Sequence, residues 1–171
     1  MKTLILLRHA EATEQQSGKD AERPLTQKGR EMAVWVGGEL SKKGLWPDFI
    51  LSSSVQRTKE TCTLIQDAWA PDVYPQVFFD PAIYRADAHE CLEMIAMQDE
   101  MHSTLMMIGH NPSIHQLALL LCGAGQVQKR PEITNHFPPA SCAVFTFPQE
   151  QWVRIHKASG TLVDFFHPAR A

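Results

Sequence analysis

Leu4-Ile5-Leu6-Leu7-Arg8-His9-Ala10 decides the reading of this chain. Four consecutive apolar residues predict a strand buried on both faces, the signature of a parallel sheet. Arg8 and His9 stand where that strand must end, and in open α/β sheets this carboxyl edge is where ligands bind. Arginine is a permanent cation whose planar fork suits phosphate or carboxylate oxygens. A histidine beside it can serve as nucleophile, proton carrier or metal ligand. Together they suggest a phosphoryl site. Alone, the triplet is read equally well as a strand end carrying two polar residues, so other residues must decide.

Outward from this strand, apolar runs alternate with amphipathic segments. The pattern predicts strands over 3–8, 48–52, 75–79 and 104–109, and helices over about 26–43, 55–69, 87–98 and 112–122. Such a rhythm is α/β. Thr26 is the expected N-cap of the first helix. Two further strands are expected at 142–147 and 152–157. The block from Gly123 to Pro139, which holds Gly125, Pro131 and Pro138, reads as a loop over the surface near a sheet edge.

Composition narrows the function classes. A chain of 171 residues suits one domain, its 44% hydrophobic content can build a core, and 16 basic against 19 acidic side chains leave a net charge of −3. No long basic run supports a nucleic-acid partner, and any positive patch should be small. No membrane association is expected, because no stretch approaches the roughly 20 apolar residues of a bilayer span. Cys62, Cys91, Cys122 and Cys142 lack the spacing of zinc ligands or of a disulfide framework and read as reduced, buried thiols. The chain opens on a core strand without a signal-type segment, so the expected location is cytoplasmic.

Two more strand ends carry chemistry. Phe49-Ile50-Leu51 runs into Ser52-Ser53-Ser54 and a helix with Arg57 in its first turn, where exposed backbone N–H groups and the helix dipole favour an anion. Leu105-Met106-Met107-Ile108 ends in Gly109-His110-Asn111-Pro112, where glycine permits close backbone approach or positive φ and proline suits a first helical turn. Singly, Arg57 is better read as a solvated helix residue and His110 as a structural histidine. Two histidines and two arginines on one sheet edge are best read jointly, as a phosphate pocket.

With Leu7-Arg8-His9-Ala10, Ser52 to Thr58 and Gly109-His110-Asn111-Pro112 in this order and spacing, the chain resembles the histidine phosphatase superfamily, which includes phosphoglycerate mutase-like enzymes. It is most similar to the short SixA-type phosphohistidine phosphatases through Arg23-Pro24-Leu25-Thr26-x-x-Gly29, Ile83-Tyr84-x-Ala86, Phe137-Pro138-Pro139-Ala140 and the stretch from Leu162 to Pro168. The resemblance implies a phosphoglycerate mutase-like fold: a three-layer α/β/α sandwich with a mostly parallel central sheet, in a single domain over residues 1–171. It makes His9 the nucleophile and completes the catalytic set with Arg8, Arg57 and His110. Arg8, Arg57, His110 and Asn111 would bind phosphate, with no cofactor and no metal. Preorganised cations suit this chemistry, since charge sits on the equatorial phosphoryl oxygens through the transition state.

Mutase-like relatives place a carboxylic acid after the third strand to protonate an alcohol leaving group, and here Ala82 stands about where it belongs. An imidazole, with a reference pKa of about 6.5 for its conjugate acid, leaves phosphorus far more readily than an alkoxide. The expected substrate is therefore phosphohistidine on a protein. Asp87, Glu11 and Glu22 are candidate acids, each better read as a surface carboxylate. Ala12 replaces the usual hydroxyl residue after the first histidine. The alternatives are a phosphomonoesterase of a small metabolite and a non-catalytic phosphate- or phosphoprotein-binding module. Mutase activity is not expected, since a water-excluding lid has little room. His89, His102, His115, His136, His156 and His167 form no ligand spacing, although His136 could border the pocket. Met94, Met97, Met101, Met106 and Met107 read as core packing, and Trp35, Trp46, Trp69 and Trp152 as core or edge packing.

Overall fold

In the computed structural model, which describes residues 1–15, 17–123 and 131–168, alternation along one strand sorts the core into two layers. Strand β1 (Lys2–Arg8) sends Leu4 and Leu6 to one face and Ile5 and Leu7 to the other, all fully buried. Each such side chain contributes about 1.5–3 kcal/mol on burial. On one face α1 (Gln27–Lys42) supplies Ala33, Val36 and Leu40, and α2 (Gln56–Asp67) supplies Cys62 and Ile65. On the other, α3 (Ala88–Ala96) and α4 (Ser113–Leu121) supply Ile95, Ile114, Leu117 and Leu121. The chain is thus an α/β sandwich with helices on both faces of one sheet.

That sheet runs β3-β2-β4-β1-β5-β6, with β2 (Phe49–Ser53), β3 (Gln76–Asp80), β4 (Thr104–Gly109), β5 (Cys142–Phe147) and β6 (Thr161–Phe166). Strands β1 to β4 are mutually parallel where they pair, while β5 and β6 are antiparallel additions. From β1 the chain crosses toward β2 on one side, and from β4 it crosses toward β5 on the other. The carboxyl ends of the adjacent strands β1 and β4 therefore form the switch point at which open sheets present their ligand crevice.

Local chemistry explains the ends of the elements. Thr26 caps α1 by accepting the Gly29 N–H at 2.9 Å. Gly29 allows α1 to start against the loop after β1, because a Cβ there would lie 1.9 Å from the Glu11 carbonyl oxygen. Lys2, 4% exposed, anchors the far end of β1 by donating to the carbonyls of Glu100 and His102, each at 2.7 Å. The four cysteines are free and buried, and burial pushes the Cys62 and Cys91 thiols up to about 12.

Several expectations fail for physical reasons. Residues 152–157 form no strand: Trp152–Arg154 is a 3₁₀ turn, with Trp152 and Ile155 buried three residues apart and Val153 and Arg154 exposed. The Trp152 indole N–H donates to the His102 carbonyl at 2.9 Å, and the last strand is Thr161–Phe166. The described part of the Gly123–Pro139 block is not a plain surface loop, since a short helix α5 (Glu132–Asn135) and Phe137 bring Ile133 and Phe137 into the core; Gly125 lies outside the described residues. Gly109 has no positive φ, and a Cβ there would meet only ordinary contacts at 3.6 Å and beyond. Pro112 is the N-cap of α4 rather than its first turn. Met97 and Met101 are 82% and 73% exposed, at the C-cap of α3 and in a turn beyond it, not in the core.

Candidate active site

Parallel register brings the two histidines together. Arg8 pairs with Gly109 across β1 and β4, so the next residue on each strand is His9 and His110. Their rings lie 5.3 Å apart. His9 is held at both main-chain groups: its N–H donates to the Gly109 carbonyl, and its carbonyl accepts from the Ala140 N–H, each at 3.1 Å.

The His9 ring is oriented by its own neighbour. Nδ1 lies 2.7 Å from the Ala10 carbonyl, which can only accept, so Nδ1 carries the proton and Nε2 keeps a free lone pair. Burial pushes the His9 pKa down to about 3; the Ala10 hydrogen bond opposes this shift, and the charges of His110, Arg57 and Arg8 reinforce it. Near neutral pH the ring is uncharged, the state a nucleophilic imidazole requires. Thr61 props the same peptide, accepting the Ala10 N–H at 3.1 Å while donating to the Arg57 carbonyl at 2.7 Å.

His110 is fixed from both sides. Its Nδ1 stands 3.5 Å from Arg57 Nη2, which can only donate, and its Nε2 lies 2.8 Å from Ser53 Oγ. Nδ1 is therefore the acceptor and Nε2–H donates to the serine. Burial, followed by the Arg57 charge, pushes His110 down to about 4.

The arginines complete the cluster. Arg57 is 5% exposed, far from the solvated helix residue that its position alone suggested. Its Nη1 and Nη2 donate to the backbone carbonyl and the carboxylate of Asp20 at 2.9 and 3.1 Å, while its Nε is buried without a partner. Arg8 Nη1 donates to the Phe137 carbonyl at 3.0 Å, and its Nε is likewise buried and unpartnered. Two buried guanidinium N–H groups on neighbouring residues of one cluster suit an oxyanion. Asn111 Nδ2 donates to the same Phe137 carbonyl at 3.0 Å, which ties this side chain to the loop that holds Arg8.

Sequence reasoning missed Asp20 and Tyr84. Asp20 lies in a 3₁₀ turn (Asp20–Glu22) between β1 and α1, and the Tyr84 hydroxyl donates to its Oδ2. The Tyr84 ring also meets the Arg57 guanidinium at 5.7 Å and the His110 ring at 5.5 Å. The advance signals were the resemblance motifs that hold Tyr84 itself and Arg23, three residues after Asp20, whose Nη1 pairs with Oδ1 at 2.8 Å.

The sequence profile of the histidine phosphatase superfamily (branch 1) matches residues 4–83, which contain His9, Arg8 and Arg57. Over that stretch the sequence fits the histidine phosphatase superfamily. A chloroplastic Arabidopsis thaliana protein, itself uncharacterized, is 34% identical over 131 residues; the match covers 72% of this chain and 60% of that protein. The fold is that of the proposed phosphohistidine phosphatases SixA. The Nakamurella multipartitia structure is 25% identical with a TM-score of 0.82, covering 98% of this chain and 96% of the other. The Agrobacterium tumefaciens structure is 25% identical with a TM-score of 0.81, covering 98% of each.

The three candidate acids have separate settings. Asp87 caps α3 by accepting the N–H groups of His89 and Glu90. Glu11 accepts from the Thr26 hydroxyl at 2.9 Å and pairs with Lys28 at 3.7 Å. Glu22 lines a cleft of about 400 Å³ with Thr13, Lys19 and Arg23. Ala82 is exposed on the 3₁₀ turn after β3. His136 is exposed and packs on His167, ring centroids 6.1 Å apart. Among the described residues no group of three or more His, Cys, Asp and Glu could hold a metal ion, and no helix is long and apolar enough to cross a membrane.

Proposed function

We propose that this protein is a phosphatase that hydrolyses phosphohistidine on a protein substrate in the cytoplasm, through a phosphoryl group carried on His9. The observation that carries the reading is the Nδ1–H bond from His9 to the Ala10 carbonyl, which leaves Nε2 as a free lone pair on an uncharged, buried ring. That lone pair attacks phosphorus while the bond to the substrate ring breaks, and the ring, protonated on its other nitrogen, takes the electron pair and departs as neutral imidazole. Water then attacks the phosphorus, the bond to His9 breaks, and inorganic phosphate leaves.

Arg8 and Arg57 stand against the charge on the equatorial oxygens, and neutral His110 adds a second imidazole held by Ser53. An imidazole leaving group suits a site whose third strand leads to Ala82 rather than to a carboxylic acid. The SixA structures named for phosphohistidine phosphatase activity support the same substrate class.

The test is intact-mass spectrometry after acid-free quenching with a phosphohistidine peptide, alongside inorganic phosphate release. The wild type gains a phosphoryl mass and releases phosphate, and His9→Ala does neither. Equal rates on alkyl phosphates and on phosphohistidine would defeat the leaving-group argument, and turnover without a phosphoryl-enzyme would defeat the mechanism.

A further inference from the structure

One carboxylate gathers three donors beside the reaction centre. Asp20 Oδ2 accepts from Arg57 Nη2 at 3.1 Å and from the Tyr84 hydroxyl, and Oδ1 accepts from Arg23 Nη1 at 2.8 Å. The backbone carbonyl of the same residue takes Arg57 Nη1 at 2.9 Å. Asp20 thereby holds both terminal nitrogens of Arg57 at once, a two-point grip that fixes the plane of the guanidinium and not merely its charge. The Nε–H remains without a partner, and Nη2 also faces His110 Nδ1 at 3.5 Å. Tyr84 closes the fourth side, with its ring under the Arg57 cation and its edge on His110.

We infer that Asp20 is the positioning residue for Arg57: with Tyr84 as its brace, it turns the unpartnered Nε–H edge of the guanidinium toward an oxyanion held beside Arg8. The inference rests on reading Arg57 as a phosphate ligand and is independent of the substrate's leaving group. Asp20 touches no reacting atom; it acts through Arg57. The 3₁₀ turn that carries it belongs to the β1–α1 connection, so the loop that leaves the nucleophile's strand returns to orient an arginine of α2. Hydrogen bonding by Tyr84, then Arg23, holds the Asp20 carboxyl below the usual carboxylate range, so the grip persists through the physiological pH interval.

Electrostatics and positioning predict opposite signs, which makes the idea easy to break. Removing a negative charge beside an anion site should tighten oxyanion binding if charge alone matters. Loss of orientation should weaken it. Tungstate is the probe, titrated calorimetrically into the wild type, Asp20→Ala, Asp20→Asn, Arg57→Ala and the double variant, each checked for folding by circular dichroism.

Asp20→Ala should bind tungstate about tenfold more weakly, on the scale of a lost charge-assisted contact. Asp20→Asn can still offer an oxygen to Arg57 and Tyr84 while releasing Arg23, and should stay within about threefold of wild type. In the Arg57→Ala background the Asp20→Ala change should have no further effect, because the coupling runs through that side chain. Tyr84→Phe, the milder variant should Asp20→Ala fail to fold, should weaken binding about two- to threefold. Tighter or unchanged binding in Asp20→Ala, additive effects in the double variant, or a wild type that ignores tungstate would each overturn the inference. Tungstate binding with this pattern but no turnover of phosphohistidine peptide or phosphate esters would remove the proposed activity and leave the role of Asp20 intact.

Discussion

The two halves of the sheet contribute to the same site by different means. The parallel half, β1 to β4, delivers side chains: His9 and Arg8 at the end of β1, His110 after β4, and Ser53 and Arg57 around the end of β2. The antiparallel half delivers main chain. Because β5 runs against β1, its amino end lies at the ligand edge, and the loop before it presents the Phe137 carbonyl to Arg8 and Asn111, the Ser141 carbonyl to the Arg8 N–H and the Ala140 N–H to His9. One half supplies the side chains and the other holds them still. A strand added backwards thus serves a site that parallel strands built.

The largest effect should come from the parallel half. Arg57→Ala should lower kcat/KM on phosphohistidine peptide about 10³-fold, the scale of losing one preorganised donor at a transition state, with the fold intact by circular dichroism. A loss under tenfold would mean that the cluster is not the reaction centre.

Next comes the antiparallel side. Ala140 is fully buried with φ 61, a left-handed conformation that a β-branched residue resists. Ala140→Val should displace the Phe137–Ser141 loop, lower kcat/KM about tenfold and cost about 2 kcal/mol of stability by urea denaturation. Unchanged activity would show that the main-chain grip on Arg8 and His9 is dispensable.

Smaller still is a pH effect that belongs to the parallel half. His9 and His110, pushed down to about 3 and about 4, stay neutral in the folded protein, whereas unfolded histidines titrate near 6.5. Between those values the unfolded chain binds more protons, so stability is complete above about pH 6.5 and falls as pH drops toward 4. Melting temperatures of His110→Gln should fall less over this interval than those of wild type. An equal fall would place the titration elsewhere. Least of all, Val163→Lys on β6, 41% exposed, should change stability by under about 0.5 kcal/mol and leave activity alone.

What the sequence disclosed follows the same division. Apolar runs and strand-end residues announced the five strands at 3–8, 48–52, 75–79, 104–109 and 142–147, four of them because burial on both faces writes itself in consecutive side chains; the edge strand β3 leaves Gln76, Phe78 and Phe79 exposed. His9, Arg8, Arg57 and His110 came with them. The last strand was misplaced to 152–157 because Trp152 and Ile155 look like strand residues until their three-residue spacing is respected. The Ala10 and Phe137 carbonyls could not be foreseen at all, since main-chain acceptors have no letter of their own. Asp20 was hidden by distance, since its partner Arg57 is 37 positions away and no periodicity links them.

The four buried thiols have a consequence for oxidative chemistry. Peroxide attacks thiolates, and here burial keeps Cys62, Cys91, Cys122 and Cys142 protonated and enclosed. None of them enters the His9 cluster, whose reactive groups are imidazole and guanidinium. Among the described residues, a cluster of this composition holds no sulfur to oxidise, so oxidants that silence cysteine-based enzymes have no purchase on it.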